Sequence, residues 1–445
     1  MDLSPIFKAY DVRGVFPDQI TEEACRRIGA AFGSFAAAST VIVGRDMRVS
    51  SPALSAAFME GLTVSGVDVL NIGLVSTDAL YFASGQQMLP GAMFTASHNP
   101  GNYNGIKFCL AGAAPVGEET GLTEIRRLAE RGMPAHDTPG EVLAGDVVDD
   151  FAEHVLGFID LSRLRPLKVV IDAANGMAGM MVPRIFDQLA VEVIPLYFEL
   201  DGTFPNHPAD PIKPENLVDL IAAVRREGAD IGLAFDGDAD RVFLIDENGE
   251  VVSGSLTTAL VASRILASEP GAKVVHNLIC SRIVSETIVA AGGEPVRTRV
   301  GHSFIKQVMA ETKAVFGGEH SGHYYFRDNF RADSGVICAL LVLEAISVES
   351  RTLSDLLLPL RKYFNSGEIN TKVADQKSSL KALADMCHDG VQDWTDGLTV
   401  DYPSWWFNAR GSNTEPLLRL NVEADSDELC KRMTEELLTK IRSQN

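Results

Sequence analysis

Three segments of this chain share one pattern: a run of β-branched residues, a polar or glycine-bearing loop, then a helical stretch. They begin at Thr40-Val41-Ile42-Val43-Gly44, at Lys168-Val169-Val170-Ile171 and at Lys273-Val274-Val275. Continuous apolar strands of this kind suit a parallel or mixed sheet covered on both faces. Their wide, domain-sized spacing predicts three α/β units in tandem. A chain of 445 residues is also too long for a single core. The polar stretch Phe364-Asn365-Ser366-Gly367-Glu368 reads as a linker into a smaller α+β unit. That unit holds an alternating strand from Leu418 to Glu423 and a final amphipathic helix from Ser426. Elsewhere Ser51 with Pro52 reads as an N-cap followed by proline, with Gly66 as the stop, and Thr21 with Glu22 and Glu23 starts another helix.

The formal charge of −21 argues against a nucleic-acid or anionic-membrane partner. Any anionic substrate must therefore meet a local cluster of Arg, Lys and backbone N–H groups. The six cysteines (Cys25, Cys109, Cys280, Cys338, Cys387, Cys430) form no CxxC pair, so they read as reduced core residues of a cytoplasmic protein. The segment Met1-Asp2-Leu3-Ser4-Pro5 has neither the basic nor the apolar region of a signal peptide. The longest apolar run, Val336 to Leu343, is too short to span a bilayer.

Four loops carry chemistry. In Thr95-Ala96-Ser97-His98-Asn99-Pro100-Gly101 a hydroxyl stands beside an imidazole, after the apolar run Gly91 to Phe94 and before two residues that break regular structure. Such a serine suits a nucleophile or the carrier of a covalent group, although plain surface turns share its composition. The second loop is Phe235-Asp236-Gly237-Asp238-Ala239-Asp240-Arg241, between strand-like runs at Ile231–Ala234 and Val242–Ile245. Three alternate carboxylates on a tight turn can converge on one hard cation, and unneutralised they would raise one another's pKa; the plain alternative is a solvated acidic turn. An EF-hand is excluded, because Arg241 stands where that loop needs glycine and the flanks are β-branched. Three carboxylates leave positions open, which suits Mg²⁺ shared with a phosphate oxygen. The third loop, Gly317-Gly318-Glu319-His320-Ser321-Gly322-His323, sets a carboxylate and a hydroxyl side by side, as neighbouring sugar hydroxyls require, with histidines able to move a proton near neutral pH. The fourth, Arg410-Gly411-Ser412-Asn413-Thr414, has the fork and neutral donors that suit a dianionic phosphate.

As an ordered set these loops resemble the α-D-phosphohexomutases, in particular the bacterial phosphomannomutase/phosphoglucomutase branch. The likeness begins at Phe7-Lys8-Ala9-Tyr10-Asp11-Val12-Arg13-Gly14. It also takes in Asn104-Gly105-Ile106-Lys107, Phe204-Pro205-Asn206-His207-Pro208 and Gly301-His302-Ser303. The resemblance implies three tandem α/β domains with mixed sheets and a smaller α+β lid around a central cleft, at residues 1–145, 146–250, 251–362 and 363–445. It implies a phosphoryl carrier at Ser97, supported by His98, and a Mg²⁺ held by Ser97, Asp236, Asp238 and Asp240. Arg13, Lys107 and Arg241 would neutralise the transferring group. Tyr10, His302 and His323 would line the centre, with the hydroxyl proton falling to His302, His323 or Lys107. Glu319 and Ser321 would bind the sugar hydroxyls, and Arg410, Ser412, Asn413 and Thr414 the phosphate that does not react.

The implied reaction interconverts hexose 1- and 6-phosphates through a hexose 1,6-bisphosphate, which also serves as activator. The partner is a small phosphosugar, with no nucleic acid or membrane, and the chain is expected as a monomer or weak dimer. The family branches differ at the residue between the sugar-binding Glu and Ser, and His320 there favours mannose, with glucose as second substrate. Glucosamine- or glucose-preferring mutases, and a seryl-phosphate phosphohydrolase, are the alternatives. Many relatives also carry a lysine in the segment that here reads Leu278-Ile279-Cys280-Ser281-Arg282, where Arg282 is the available cation.

Overall fold

Each of the three β-branched runs lies inside a sheet, flanked on both sides by other strands. In the computed structural model, which describes residues 1–411 and 416–443, they form the strands Thr40–Arg45, Leu167–Asp172 and Lys273–Asn277. The first sheet is mixed. Thr40–Arg45 runs parallel to Asp68–Leu74 and to Gly91–Phe94, while Tyr103–Leu110 and Val12–Val15 complete one side antiparallel. In the second, Leu167–Asp172 is parallel to Val191–Leu196 and Ile231–Phe235, and the latter turns back into Val242–Asp246. In the third, Lys273–Asn277 is parallel to Glu294–Thr298 and Phe316–Gly318, and Phe316–Gly318 turns back into Tyr324–Phe326. Both hairpins carry a site loop at the turn. The fourth sheet is antiparallel throughout, around Leu417–Ala424 and Trp405–Gly411.

One continuous apolar core runs through the first three units, from Ile42 and Phe151 through Val182 and Leu244 to Leu340. The helix Gly335–Glu349, which contains the longest apolar run, is buried from Gly335 to Ser347. The C-terminal unit has a separate core around Leu398, Phe407, Leu420 and Leu437. The loops of the first three units are therefore fixed to one packed body, and the fourth unit is docked onto it. All six cysteines are buried and unpaired. Among the described residues, no helix is long and apolar enough to cross a membrane.

Two local readings change. The helix expected to be capped by Ser51 runs Ser51–Val64, so Ser51 is its first residue and Ser50 the cap position; the Ser51 hydroxyl donates to Asp46 Oδ1 at 2.6 Å instead of capping. Phe364–Asn365, read as linker, is a short strand paired with Ala424 and Glu423, because its backbone groups complete the edge of the C-terminal sheet. The other cap stands: Thr21 accepts from the Ala24 amide at 3.1 Å and opens the helix Glu22–Ala36.

Candidate active site

All four residues of Gly91–Phe94 are buried, and the chain leaves this strand into a tight turn. Thr95 Oγ1 accepts from the Ser97 amide at 2.9 Å, and Ser97 adopts φ +47°, a left-handed conformation that L-residues seldom enter. The side chain is held inside, with 4 % of the residue exposed. Its hydroxyl donates to Asp236 Oδ2 at 2.6 Å and stands 3.2 Å from His98 Nδ1. Burial, with Arg241 and Arg13 nearby, pushes the His98 pKa well below the ordinary histidine value, so the ring is neutral.

Asp236, Asp238 and Asp240 project from the turn of the second-unit hairpin. All three are buried, and one oxygen from each lies within 4.8 Å of the others. Lys107 Nζ, from the strand Tyr103–Leu110, donates to Asp238 Oδ2 at 2.7 Å and to Asp240 Oδ2 at 2.6 Å. Arg241 Nε donates to Asp236 Oδ2 at 3.0 Å, and its Nη2 reaches Ser97 Oγ at 3.4 Å.

Two cations thus face three carboxylates. Burial, followed by repulsion from Asp240, lifts Asp236 to about 7. Burial, followed by repulsion from Asp238, lifts Asp240 to about 6. Asp238 moves the other way: burial opposes its charge, but the Lys107 ammonium outweighs burial and holds it below the ordinary carboxylate value. Lys107, despite burial, is held charged by the same two aspartates. Asp238 Oδ1 and Asp240 Oδ1 are buried and have no hydrogen-bond partner among the described residues. Uncompensated buried carboxylate oxygens are costly unless a cation meets them. The donor set, all oxygen, compact and in net negative surroundings, fits a small hard divalent ion.

The third-unit hairpin delivers the next loop. Glu319, 3 % exposed, accepts from Ser321 Oγ at 3.0 Å and from the Tyr325 hydroxyl at 3.3 Å. Ser321 Oγ is also 3.0 Å from His323 Nδ1, which leaves Nε2 facing Asp240 Oδ1 at 3.7 Å and Asp333 Oδ2 at 4.0 Å. Burial, then Arg241, lowers the His323 pKa. An isolated β-bridge between Arg241 and His323 ties this loop to the acidic one. His320 turns elsewhere: its Nδ1 lies 3.1 Å from Asn277 Nδ2, and burial pushes its pKa down to about 3.

From the first unit, Arg13 pairs with Asp11, donates to Asn99 Oδ1 and reaches the Ala96 carbonyl at 3.5 Å, so it braces the Ser97 turn. The Tyr10 hydroxyl donates to the Val300 carbonyl at 3.4 Å, beside Gly301, and so touches the loop that opens the helix His302–Thr312. The side chain of His302, and Ser412, Asn413 and Thr414, lie outside the described residues. Arg410 pairs within its own unit, Nη2 to Glu368 Oε2 at 3.0 Å, while its charge acts on Tyr10 and His320. The structure therefore gathers Ser97, His98, Arg13, Lys107, Arg241, the three aspartates, Glu319, Ser321 and His323, with Tyr10 at the margin. Arg282, the cation available where many relatives carry a lysine, is engaged between units. Its guanidinium is bound by Asp401 and by the carbonyls of Tyr402, Pro403 and Trp405, and its amide donates to Glu423 at 3.0 Å. It joins the third unit to the fourth.

Several members of the site carried no signal in sequence. The Thr77 hydroxyl and amide both donate to Asp238, the amide to its carbonyl at 3.1 Å. Lys306, 2 % exposed, pairs with Asp333 at 2.8 Å and lies over the Tyr81 ring at 4.0 Å, so Asp333 is anchored behind His323. Arg48, 1 % exposed, lies beneath the serine turn.

Comparison with known proteins covers nearly the whole chain. Models of the phosphoglucomutase/phosphomannomutase α/β/α domains I, II and III match residues 4–135, 149–249 and 253–363, and that of the C-terminal domain matches 368–440. A protein of Xanthomonas campestris described as "Phosphohexose mutases" is 42% identical over 98% of this chain and 99% of its own. A phosphomannomutase of Escherichia coli is 41% identical over 98% of each. The crystal structure of a phosphoglucomutase/phosphomannomutase family protein from Burkholderia thailandensis superposes with a TM-score of 0.91 at 34% identity, over 99% of this chain and 97% of that one.

Proposed function

The chain belongs to the phosphoglucomutase/phosphomannomutase family and is a phosphohexomutase, an isomerase, and from that premise we propose that it interconverts mannose 1- and 6-phosphates, and the glucose pair, through a phosphoseryl Ser97. The observation that carries this reading is the 2.6 Å hydrogen bond from Ser97 Oγ to Asp236, which joins the serine turn of one unit to the acidic turn of another. A serine held in a left-handed turn against three carboxylates has no use as a surface turn. It fits a phosphoryl carrier beside a cation site.

In the proposed cycle the bond between Ser97 Oγ and phosphorus breaks as one forms to the free 1- or 6-oxygen of the bound sugar. The hexose 1,6-bisphosphate turns over and returns its other phosphoryl group to Ser97. Mg²⁺ bound by Asp236, Asp238 and Asp240 would neutralise charge on the phosphoryl oxygens. Arg241 and Arg13 flank those oxygens and hold them in line. Of the groups open for the hydroxyl proton, the His302 side chain lies outside the described residues, and Lys107 is held charged between two aspartates and accepts nothing. His323 is held neutral, with Nδ1 oriented by Ser321, and its Nε2 is the acceptor. Glu319 and Ser321 read neighbouring sugar hydroxyls in either binding mode, and Arg410 meets the distal phosphate when the fourth unit closes.

The test is direct. Protein with Mg²⁺, a trace of glucose 1,6-bisphosphate and mannose 1-phosphate should yield mannose 6-phosphate by ³¹P NMR, and Ser97→Ala should yield none. Absence of product from protein shown by intact mass to carry phosphoserine refutes the reading. Inorganic phosphate as main product assigns a phosphohydrolase instead.

A further inference from the structure

Ser97 is kept in an unfavourable backbone conformation by a side chain far from it in sequence. Arg48 is fully buried, and every N–H of its guanidinium is used. Nη2 donates to the carbonyls of Ser97 and Asn99, each at 2.7 Å. Nη1 donates to those of Pro100 and Tyr103 at 2.7 and 2.9 Å, and Nε to Asp46 Oδ2 at 3.2 Å. Asp46 is in turn fixed by the Ser51 hydroxyl at 2.6 Å and by the Arg48 amide at 3.0 Å. Four carbonyls of one turn thus converge on one planar fork. From the second unit, the Phe204 ring lies 5.1 Å from the guanidinium carbon, and a Cβ on Gly202 would stand 2.5 Å from the Arg48 Cα, so the neighbouring loop is packed hard onto this residue.

Resting on the reading of Ser97 as phosphoryl carrier, we propose that Arg48 is a positioning residue for phosphoryl transfer: it locks the serine turn so that Oγ points at the acidic loop. Arg48 touches neither the hydroxyl nor the carboxylates there. Its effect runs through the backbone: the direction of the Ser97 carbonyl is tied to ψ of that residue, and the other three carbonyls hold the path of the chain after it. Lysine does not replace it, because one ammonium with three donors cannot span four carbonyls in a plane. The Phe204 face keeps water from competing for the fork.

The experiment measures single-turnover loss of phosphate from Ser97 to mannose 1-phosphate, alongside steady-state kcat and KM, in wild type, Arg48→Lys and Phe204→Leu. Arg48→Lys should lower the single-turnover rate and kcat about 100-fold, with KM within about twofold, since a misplacement of about 1 Å costs that much. Phe204→Leu, at the half-buried cover, should lower the same rate severalfold. A folded Arg48→Lys with a wild-type single-turnover rate overturns the proposal. If Arg48→Lys does not fold, Phe204→Leu decides, and an unchanged rate overturns it equally. Wild-type protein that transfers no phosphoryl group overturns the function and this role together; wild-type transfer with unaltered variants overturns this role alone.

Discussion

Gly237 sits where the acidic turn meets the serine turn, and adding one methyl group there should separate them. Its φ is not in the left-handed region, so alanine carries no backbone penalty and the effect is steric. A Cβ at this position would lie 2.5 Å from the Ser97 carbonyl oxygen, whereas ordinary contact begins near 3.4 Å. One of the two turns must therefore retreat by about 0.9 Å. The carbonyl cannot retreat freely, because Arg48 Nη2 holds it at 2.7 Å, so the acidic turn moves and takes Asp236 away from Ser97 Oγ. A displacement near 1 Å at a reacting centre costs about 100-fold in rate, or about 2.7 kcal/mol of transition-state stabilisation. Overpacking adds about 1–3 kcal/mol of destabilisation. We expect Gly237→Ala to fold, to melt earlier than wild type, and to show kcat reduced about 100-fold with KM for mannose 1-phosphate little changed. The assay is the coupled formation of mannose 6-phosphate, with circular dichroism for folding. A folded variant with kcat within threefold of wild type would refute the argument that the contact between these two turns sets the rate.

Asp78 supplies a pH test. Burial lifts its carboxyl from 3.8 to about 7, against hydrogen bonds from Ser334 and Ser76, so the folded state holds a proton that the unfolded state releases. Stability should then fall as pH rises from about 4 to about 7, by about 4 kcal/mol, and level off above that. Asp236 and Asp240 add to the slope with the same sign, so Asp78→Asn should make it shallower by the Asp78 share in urea titrations at pH 5 and pH 8, and an unchanged slope would place the titration elsewhere. Arg282→Gln cuts the third unit's hold on the fourth, and should raise KM roughly tenfold while Ser97 still accepts phosphate from glucose 1,6-bisphosphate. Equal KM values would show that the contact does not guide closure. Chelation by EDTA before loading should leave Ser97 unphosphorylated by intact mass, and added Mg²⁺ should restore loading; full loading without a divalent ion would refute the cation site.

What the sequence made legible depended on range. The three central strands were readable because strands covered on both faces are apolar at every position, and burial confirms this for Val169, Val170 and Ile171. The three aspartates were readable because all lie on one turn and repel one another unless met. Arg48 was not, since its carbonyl partners lie 49 to 55 residues away and an arginine after a strand has no mark that separates a buried fork from a surface charge. Thr77 lies 161 residues from Asp238, and Lys306 finds Asp333 only when its helix packs on the third sheet. Ser51 was misread for the reverse reason: its local pattern matched a cap, but a buried carboxylate offered its hydroxyl a better partner. Arg282 shows the same limit, because whether a cation faces the cleft or a neighbouring unit is decided by docking.

The balance of charge at the centre sets a condition on any phosphoryl group that Ser97 would carry. The hydrogen bond from Ser97 to Asp236 belongs to the unphosphorylated enzyme, since a phosphoserine has no hydroxyl proton to donate. A dianionic group on Oγ would face Asp236 across the same gap. Two like charges about 4 Å apart repel by about 4 kcal/mol at an effective dielectric of 20. The cations described at the centre are already engaged: Arg48 on four carbonyls and Asp46, Lys107 on Asp238 and Asp240, Arg241 on Asp236, and Arg13 on Asp11 and Asn99. Three carboxylates against Lys107 and Arg241 leave the acidic turn negative before any phosphate arrives, once Asp236 and Asp240 have lost their protons. Asp236, Asp238 and Asp240 would hold a divalent ion that reverses that sign, and Arg241, whose Nη2 reaches the serine hydroxyl at 3.4 Å, would then be available to a phosphoryl oxygen. On the function proposed above, a divalent ion would have to precede phosphate on this serine, and both the loading and the unloading of Ser97 would depend on it.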